Sequence, residues 1–146
     1  MTSYNPPANR AGGTPTPADY QALAMFRLTL RRFNAFSESA ALQAGLKPQQ
    51  HQALLAIKAV SAASMPSVGD VAEQLLIRHH SAVELINRLV RMGMVKRCKD
   101  PDDGRRVRVA LTPLAEETLA VLAAAHLEEL RSVRPLLMKL LRNFHA

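Results

Sequence analysis

The chain has 146 residues, 48% of them hydrophobic, and a formal charge of +7 at neutral pH. That length fits one domain with extensions, and that apolar content excludes general disorder. The charge favours an anionic partner, nucleic acid ahead of a membrane surface, and no apolar run approaches the roughly 20 residues that a bilayer span needs.

Cys98 is the only cysteine, so neither an intrachain disulfide framework nor a cysteine-based zinc cluster is available. Met1–Pro7 has no basic start and no apolar stretch, unlike a signal peptide. A cytoplasmic protein is expected. Residues 1–15, rich in Pro, Gly, Asn and Thr, read as a flexible tail.

Thr16, Pro17 and Asp19 have the form of a helix start, with Thr as N-cap and Asp three residues on. Tyr20, Leu23, Phe26, Leu30, Phe33 and Phe36 then recur at spacings of three and four, one apolar face that should end before Gly45. Leu46–Gln49 opens a second helix, with Leu54, Leu55 and Ile57 apolar, that stops between Ser61 and Pro66. Ser67 and Asp70 form another capping box, and Val71, Ala72, Leu75 and Leu76 are the expected buried side of a third helix. A short link through Ile77 leads to a fourth, about His80 to Met92, with Val83, Ile86, Leu89 and Val90 facing the core and Gly93 as its stop.

Met94–Lys99 reads as one strand and Asp103–Thr112 as a tight turn feeding a second, with the turn formers Asp100–Gly104 between them. In a strand alternate side chains point to opposite faces, which sets Arg106 and Arg108 against Val107, Val109 and Leu111. Thr112 and Pro113 repeat the cap-plus-proline start, opening a helix to about Arg131, and Pro135 is expected to start a last helix striped by Leu136, Leu137, Leu140, Leu141 and Phe144.

Helix, turn, helix, hairpin is the order of a winged helix-turn-helix. Arg78, His79, His80, Ser81 and Glu84 stand where the second helix would meet the major groove, and Arg88, Arg91, Lys96, Arg97 and Arg108 could serve phosphates. The expected fold is mainly α with a small β-hairpin wing, with helices before and after it.

The runs Ser67–Leu75, Ser81–Leu89, Gly93–Arg97 and Asp100–Thr112 resemble the MarR family of bacterial transcriptional regulators. That family's wing motif stands here as Asp103, Arg105, Val109, Leu111 and Thr112. The resemblance, over about residues 17–146, implies a homodimeric repressor that reads a pseudo-palindrome in double-stranded DNA and is released by a small aromatic or anionic effector. It implies a dimerisation region of 16–45 plus 113–146, with Tyr20, Leu23, Phe26, Leu136, Leu137, Leu140, Leu141 and Phe144 in the seam, and a DNA-binding region of 46–112.

By the same resemblance Arg105 is the wing-tip arginine that enters the minor groove, and Asp103 orients it by a charge-assisted hydrogen bond. Arg106 and Arg108 flank it as contacts or as a solvated strand face. The implied effector pocket involves Phe33, Phe36, His51 and Leu54. One departure is His79, His80 and Ser81 where the family often has Ser-Thr, with Glu84 where a neutral or basic residue is common. Glu84 either accepts from a cytosine amine or repels phosphate.

His79 and His80 are adjacent, so on a helix they point about 100° apart and do not share one ion; no metal or cofactor is expected. Cys98 has basic neighbours that favour thiolate, yet its place on the wing strand suits a passive residue better. No phosphate loop, catalytic triad spacing or paired-carboxylate motif suggests an enzyme. The rival reading is a winged-helix module that binds an acidic protein.

Overall fold

The computed structural model describes residues 13–144. Five helices and one hairpin follow in the order α1 (Pro17–Gln43), α2 (Pro48–Ser61), α3 (Val68–Leu75), α4 (His79–Arg91), β1 (Val95–Lys99), β2 (Val107–Leu111) and α5 (Pro113–Arg142). The mainly helical, winged architecture is the one the sequence predicts. Of the tail expected over 1–15, residues 1–12 lie outside the described residues, and 13–15 carry no regular structure.

Local chemistry sets the helix boundaries. Thr16 and Ser67 accept from the backbone N–H of Asp19 and Asp70, whose carboxylates accept in return from the cap N–H at 2.7 and 2.9 Å. Thr112 does two jobs: its Oγ1 accepts from Ala115 N–H and donates to the Gly93 carbonyl at 2.6 Å, tying the start of α5 to the end of α4.

Three helices stop in the same way, with one residue in the left-handed conformation and the next N–H reaching back to an earlier carbonyl. Gly45 (φ 78) ends α1 and Gly93 (φ 73) ends α4, with Leu46 donating to Ala41 and Met94 to Leu89, both at 2.9 Å. At the end of α3 the left-handed residue is Leu76 (φ 53), and Ile77 donates to Ala72 at 3.0 Å. This overturns the expected burial of Leu76. The reversed turn swings its side chain out to 93% exposure and brings Ile77 toward the core instead.

The core joins Leu46, Leu54 and Ile57 to Val71, Leu85, Ile86, Leu89, Val95, Val109 and Leu119. In α4 the inward residues are Ala82, Leu85, Ile86 and Leu89, while Val83 and Val90 are half-buried. The hairpin is antiparallel, with Arg97 opposite Val109 and Cys98 opposite Arg108. β2 starts at Val107, so Arg105 and Arg106 belong to the loop, and Val107 is exposed rather than inward.

Two helices were expected after the wing, and one is found. Pro135 lies inside α5, at an exposed position, and α5 packs against α1. At about 1.5 Å per residue α5 is about 45 Å long. No described helix is long and apolar enough to cross a membrane.

Candidate nucleic-acid interface and interhelical cavity

The apolar side of α4 is consumed by the core, so its other side is left to solvent. Arg78 at the N-cap, His79, His80, Glu84, Arg88 and Arg91 are all exposed, and Ser81 is half-buried beside them. The helix N-terminus adds its own partial positive charge at this spot, which suits an anion. Arg97 reaches from β1 to α4, where its guanidinium donates to Asn87 Oδ1. The basic strand is thereby braced against the exposed helix.

The wing loop is organised by Asp100, whose carboxylate is almost buried. Oδ1 accepts from the N–H groups of Asp102 (2.9 Å) and Asp103 (3.3 Å), and Oδ2 accepts from Arg108 Nε at 2.8 Å. The Asp102 N–H and the Arg108 guanidinium hold the Asp100 carboxyl below the usual carboxylate range, which keeps it charged. Asp103 then fixes Arg105 through the backbone: Arg105 N–H donates to Asp103 Oδ1 at 3.0 Å. The expected side-chain pairing of Asp103 with Arg105 is replaced by a looser one with Arg106 Nε at 3.9 Å. The Arg105 side chain stands exposed at the tip.

Arg108 does not behave as an open basic residue. Besides Asp100 it lies 3.7 Å from Asp70 of α3, and its side chain is only 22% exposed. Its charge is neutralised within the protein, which contradicts its expected place among the outward-facing cations. Sequence alternation gave it the right face, but not the two carboxylates waiting there.

A second feature lies between α1, α2 and α5. A cavity of about 480 Å³ is lined by Phe33, Asn34, Ser37, His51, Gln52 and His126 among others. Its centre is a pair of imidazoles with ring centroids 4.9 Å apart. His126 Nδ1 donates to the Leu122 carbonyl at 2.6 Å, and in the neutral ring Nε2 accepts from Ser37 Oγ at 2.8 Å. His51 is buried, and its Nδ1 has no hydrogen-bond partner among the described residues. Burial first, and the neighbouring His126 second, lower the His51 pKa, favouring the neutral ring.

Two of the four residues expected in a pocket, Phe33 and His51, line this cavity. Phe36 lies edge-on against His126, and Leu54 is turned fully into the core, with Leu55 on the cavity wall in its place. His126 and Ser37 had no signal in the sequence. They lie 89 residues apart and meet only because α5 returns along α1.

Residues 44–106, the turn before α2 through the wing loop, match the family model described as the MarR family. This winged-helix segment belongs to the MarR family. No curated protein matches the chain. Among solved structures, the MarR-family regulator AbsC from Streptomyces coelicolor is 19% identical, with a TM-score of 0.68 over 83% of this chain and 81% of that one. The S. aureus MepR–DNA complex is 18% identical, with a TM-score of 0.64 over 89% and 97%. A probable transcriptional regulator from Pseudomonas aeruginosa is 26% identical, with a TM-score of 0.59 over 81% and 86%. The likeness extends beyond the matched MarR segment to α1 and α5.

Proposed function

We propose that this protein is a transcriptional regulator that binds double-stranded DNA as a homodimer and represses until a small effector releases it. The observation that carries the DNA-binding part is the polar face of α4: Arg78, His79, His80 and Glu84 are exposed in its N-terminal half and Arg88 and Arg91 in its last turn, beside a wing whose Arg105 is exposed and whose loop is held by Asp100 and Asp103. MarR-family membership of residues 44–106 and the fold shared with the DNA-bound MepR support the same reading. In it Arg78, His79, His80, Ser81 and Glu84 face the major groove, Arg88, Arg97 and Arg106 serve phosphates, and Arg105 enters the minor groove.

The homodimer reading rests on α1 and α5. They expose Tyr20, Leu23 and Leu141, apolar residues that a second copy would cover. Phe26 and Phe144 pack edge-to-face within one chain, with Phe144 still exposed, and Leu140 is buried behind that surface. Two heads joined this way would read half-sites about 10 base pairs apart. The division into 16–45 plus 113–146 for dimerisation and 46–112 for DNA follows, as does a cytoplasmic location.

The effector reading rests on the cavity. Its walls are aromatic and apolar with amide, hydroxyl and imidazole groups, a setting for a small aromatic molecule. Such a ligand releases DNA only if it binds better to a dimer whose heads are wrongly spaced.

Selection of duplexes from a random pool, with salt varied, tests the proposal. A recovered pseudo-palindrome, with a log–log salt slope of about −0.9 per neutralised phosphate, is expected. Enrichment no better than non-specific binding would favour a module that binds an acidic protein.

A further inference from the structure

The wing and the helix-turn-helix are separate in sequence, and a two-stranded hairpin alone is marginally stable. Something must hold the angle between them if one tip and one helix are to meet neighbouring grooves. The backbone offers one tether. Val109 N–H donates to the Pro66 carbonyl at 2.9 Å, and Arg108 and Ser67 form an isolated antiparallel bridge. The side chain at the same position offers another. Arg108 lies between Asp100, at the base of the wing loop, and Asp70, in the capping box that starts α3.

We propose that Arg108 is a positioning residue that locks the wing to the helix-turn-helix and thereby places Arg105 relative to α4. This rests on the DNA-binding reading above. The guanidinium suits the task because its planar fork presents several donors to two carboxylates at once. The pair it makes with Asp100 is shielded, with side chains 22% and 6% exposed, so salt screens it less than a surface pair. Asp100 carries the restraint onward, since its other oxygen accepts from the N–H groups of Asp102 and Asp103, and Asp103 accepts from Arg105. The chain of contacts runs from the start of α3, where Asp70 is partly exposed and lies 3.7 Å from Arg108, through the shielded Arg108–Asp100 pair to the exposed wing tip. The side chain of Arg106, two residues before Arg108, has only the loose pair with Asp103 among the described residues.

The lock separates from a phosphate contact by measurement. Arg108→Met is compared with wild type for duplex affinity over a salt series, using a duplex recovered by selection with the wild-type protein. Affinity should fall by about 5- to 30-fold, the range of one to two interaction energies of ordinary size. The salt slope should stay unchanged, because no phosphate contact is lost. In an Arg105→Ala background the same substitution should cost almost nothing, since both act through one tip. Amide exchange at Asp102, Asp103 and Arg105, read without DNA, should quicken well beyond any change in the buried parts of α2 and α4.

Arg108→Lys should restore only part of the affinity, and Asp100→Asn, which keeps an acceptor for the loop, should reproduce the loss. These two variants decide the matter if Arg108→Met does not fold. A slope shallower by about one phosphate, with costs that add to those of Arg105→Ala, would make Arg108 a phosphate contact and overturn the lock. Unchanged affinity would overturn it as well. If the wild type enriches no duplex, the DNA reading falls, and the exchange rates still decide whether Arg108 holds the wing.

Discussion

The winged body and the pair of long helices that flank it bury their apolar residues to very different degrees. Within the body Leu54, Ile57, Val71, Ile86, Leu89 and Val109 are completely buried. On α1 and α5 Tyr20 is 60% exposed, Val121 72% and Leu141 55%. A chain of this size has enough apolar surface to close one core, and it closes that core around the turn of α3 and α4. The long helices meet along one side and leave the other open. The body closes its core with Ala41 of α1 and Leu119 and Leu122 of α5 as part of it, whereas the open side of α1 and α5 is the surface that, under the proposed function, a second copy covers.

The sharpest way to break this contrast is to charge the open side. Leu137→Asp together with Leu141→Asp should convert dimer to monomer, because each buried, unpaired carboxylate costs about 3–5 kcal/mol at an interface. Sedimentation that still shows a dimer would place the seam elsewhere. The same logic inside the body predicts a different readout. Leu89→Ala should cost about 2–5 kcal/mol of folding stability, seen as a lower melting temperature with assembly kept in the surviving fold.

Smaller effects sharpen the comparison further. Arg105→Ala should weaken binding to the selected duplex by about 1–3 kcal/mol without moving the melting temperature; unchanged affinity would remove the wing-insertion role. Ser67→Ala should cost about 1 kcal/mol of stability, since it strips a cap from α3 inside the cooperative body. Thr16→Ala, at the exposed start of α1, should cost less, and equal losses would argue that the two regions unfold as one.

The smallest effect is a pH dependence at the boundary between the regions. His51 has its pKa lowered below the ordinary value near 6.5, so the folded state binds fewer protons than the unfolded one in that window. Its contribution to stability is complete above pH 6.5 and is lost as the pH falls toward the folded value. His51→Gln should flatten that part of the stability curve. A slope that survives the substitution would assign it to another group.

Much of this architecture was readable from periodicity and end signals. The capping boxes at Thr16 and Ser67, the stops at Gly45 and Gly93, and the apolar repeat of α4 depend on residues three or four apart, and local rules govern such spacings. The wing motif from Asp103 to Thr112 was readable for the same reason, since turn and strand chemistry are local. Leu76 was misplaced because a leucine gives no warning that it will take a left-handed turn, a position that usually falls to glycine.

Helix α5 was divided at Pro135 because proline's cost is local, while the packing against α1 that outweighs it is not. Arg108 shows the limit most clearly. Alternation along β2 set the face it occupies, a consequence of backbone geometry that any strand obeys. Only the fold, by bringing Asp100 and Asp70 to that face, decided whether its charge would meet a phosphate or a carboxylate. The cavity at His51, His126 and Ser37 belongs to the same class, since it exists only where three helices distant in sequence converge. Period and caps decide what each segment becomes, because those energies act within a turn or two of chain. Partner choice for charges and imidazoles is decided by packing, because those energies depend on distances that the order of residues does not contain.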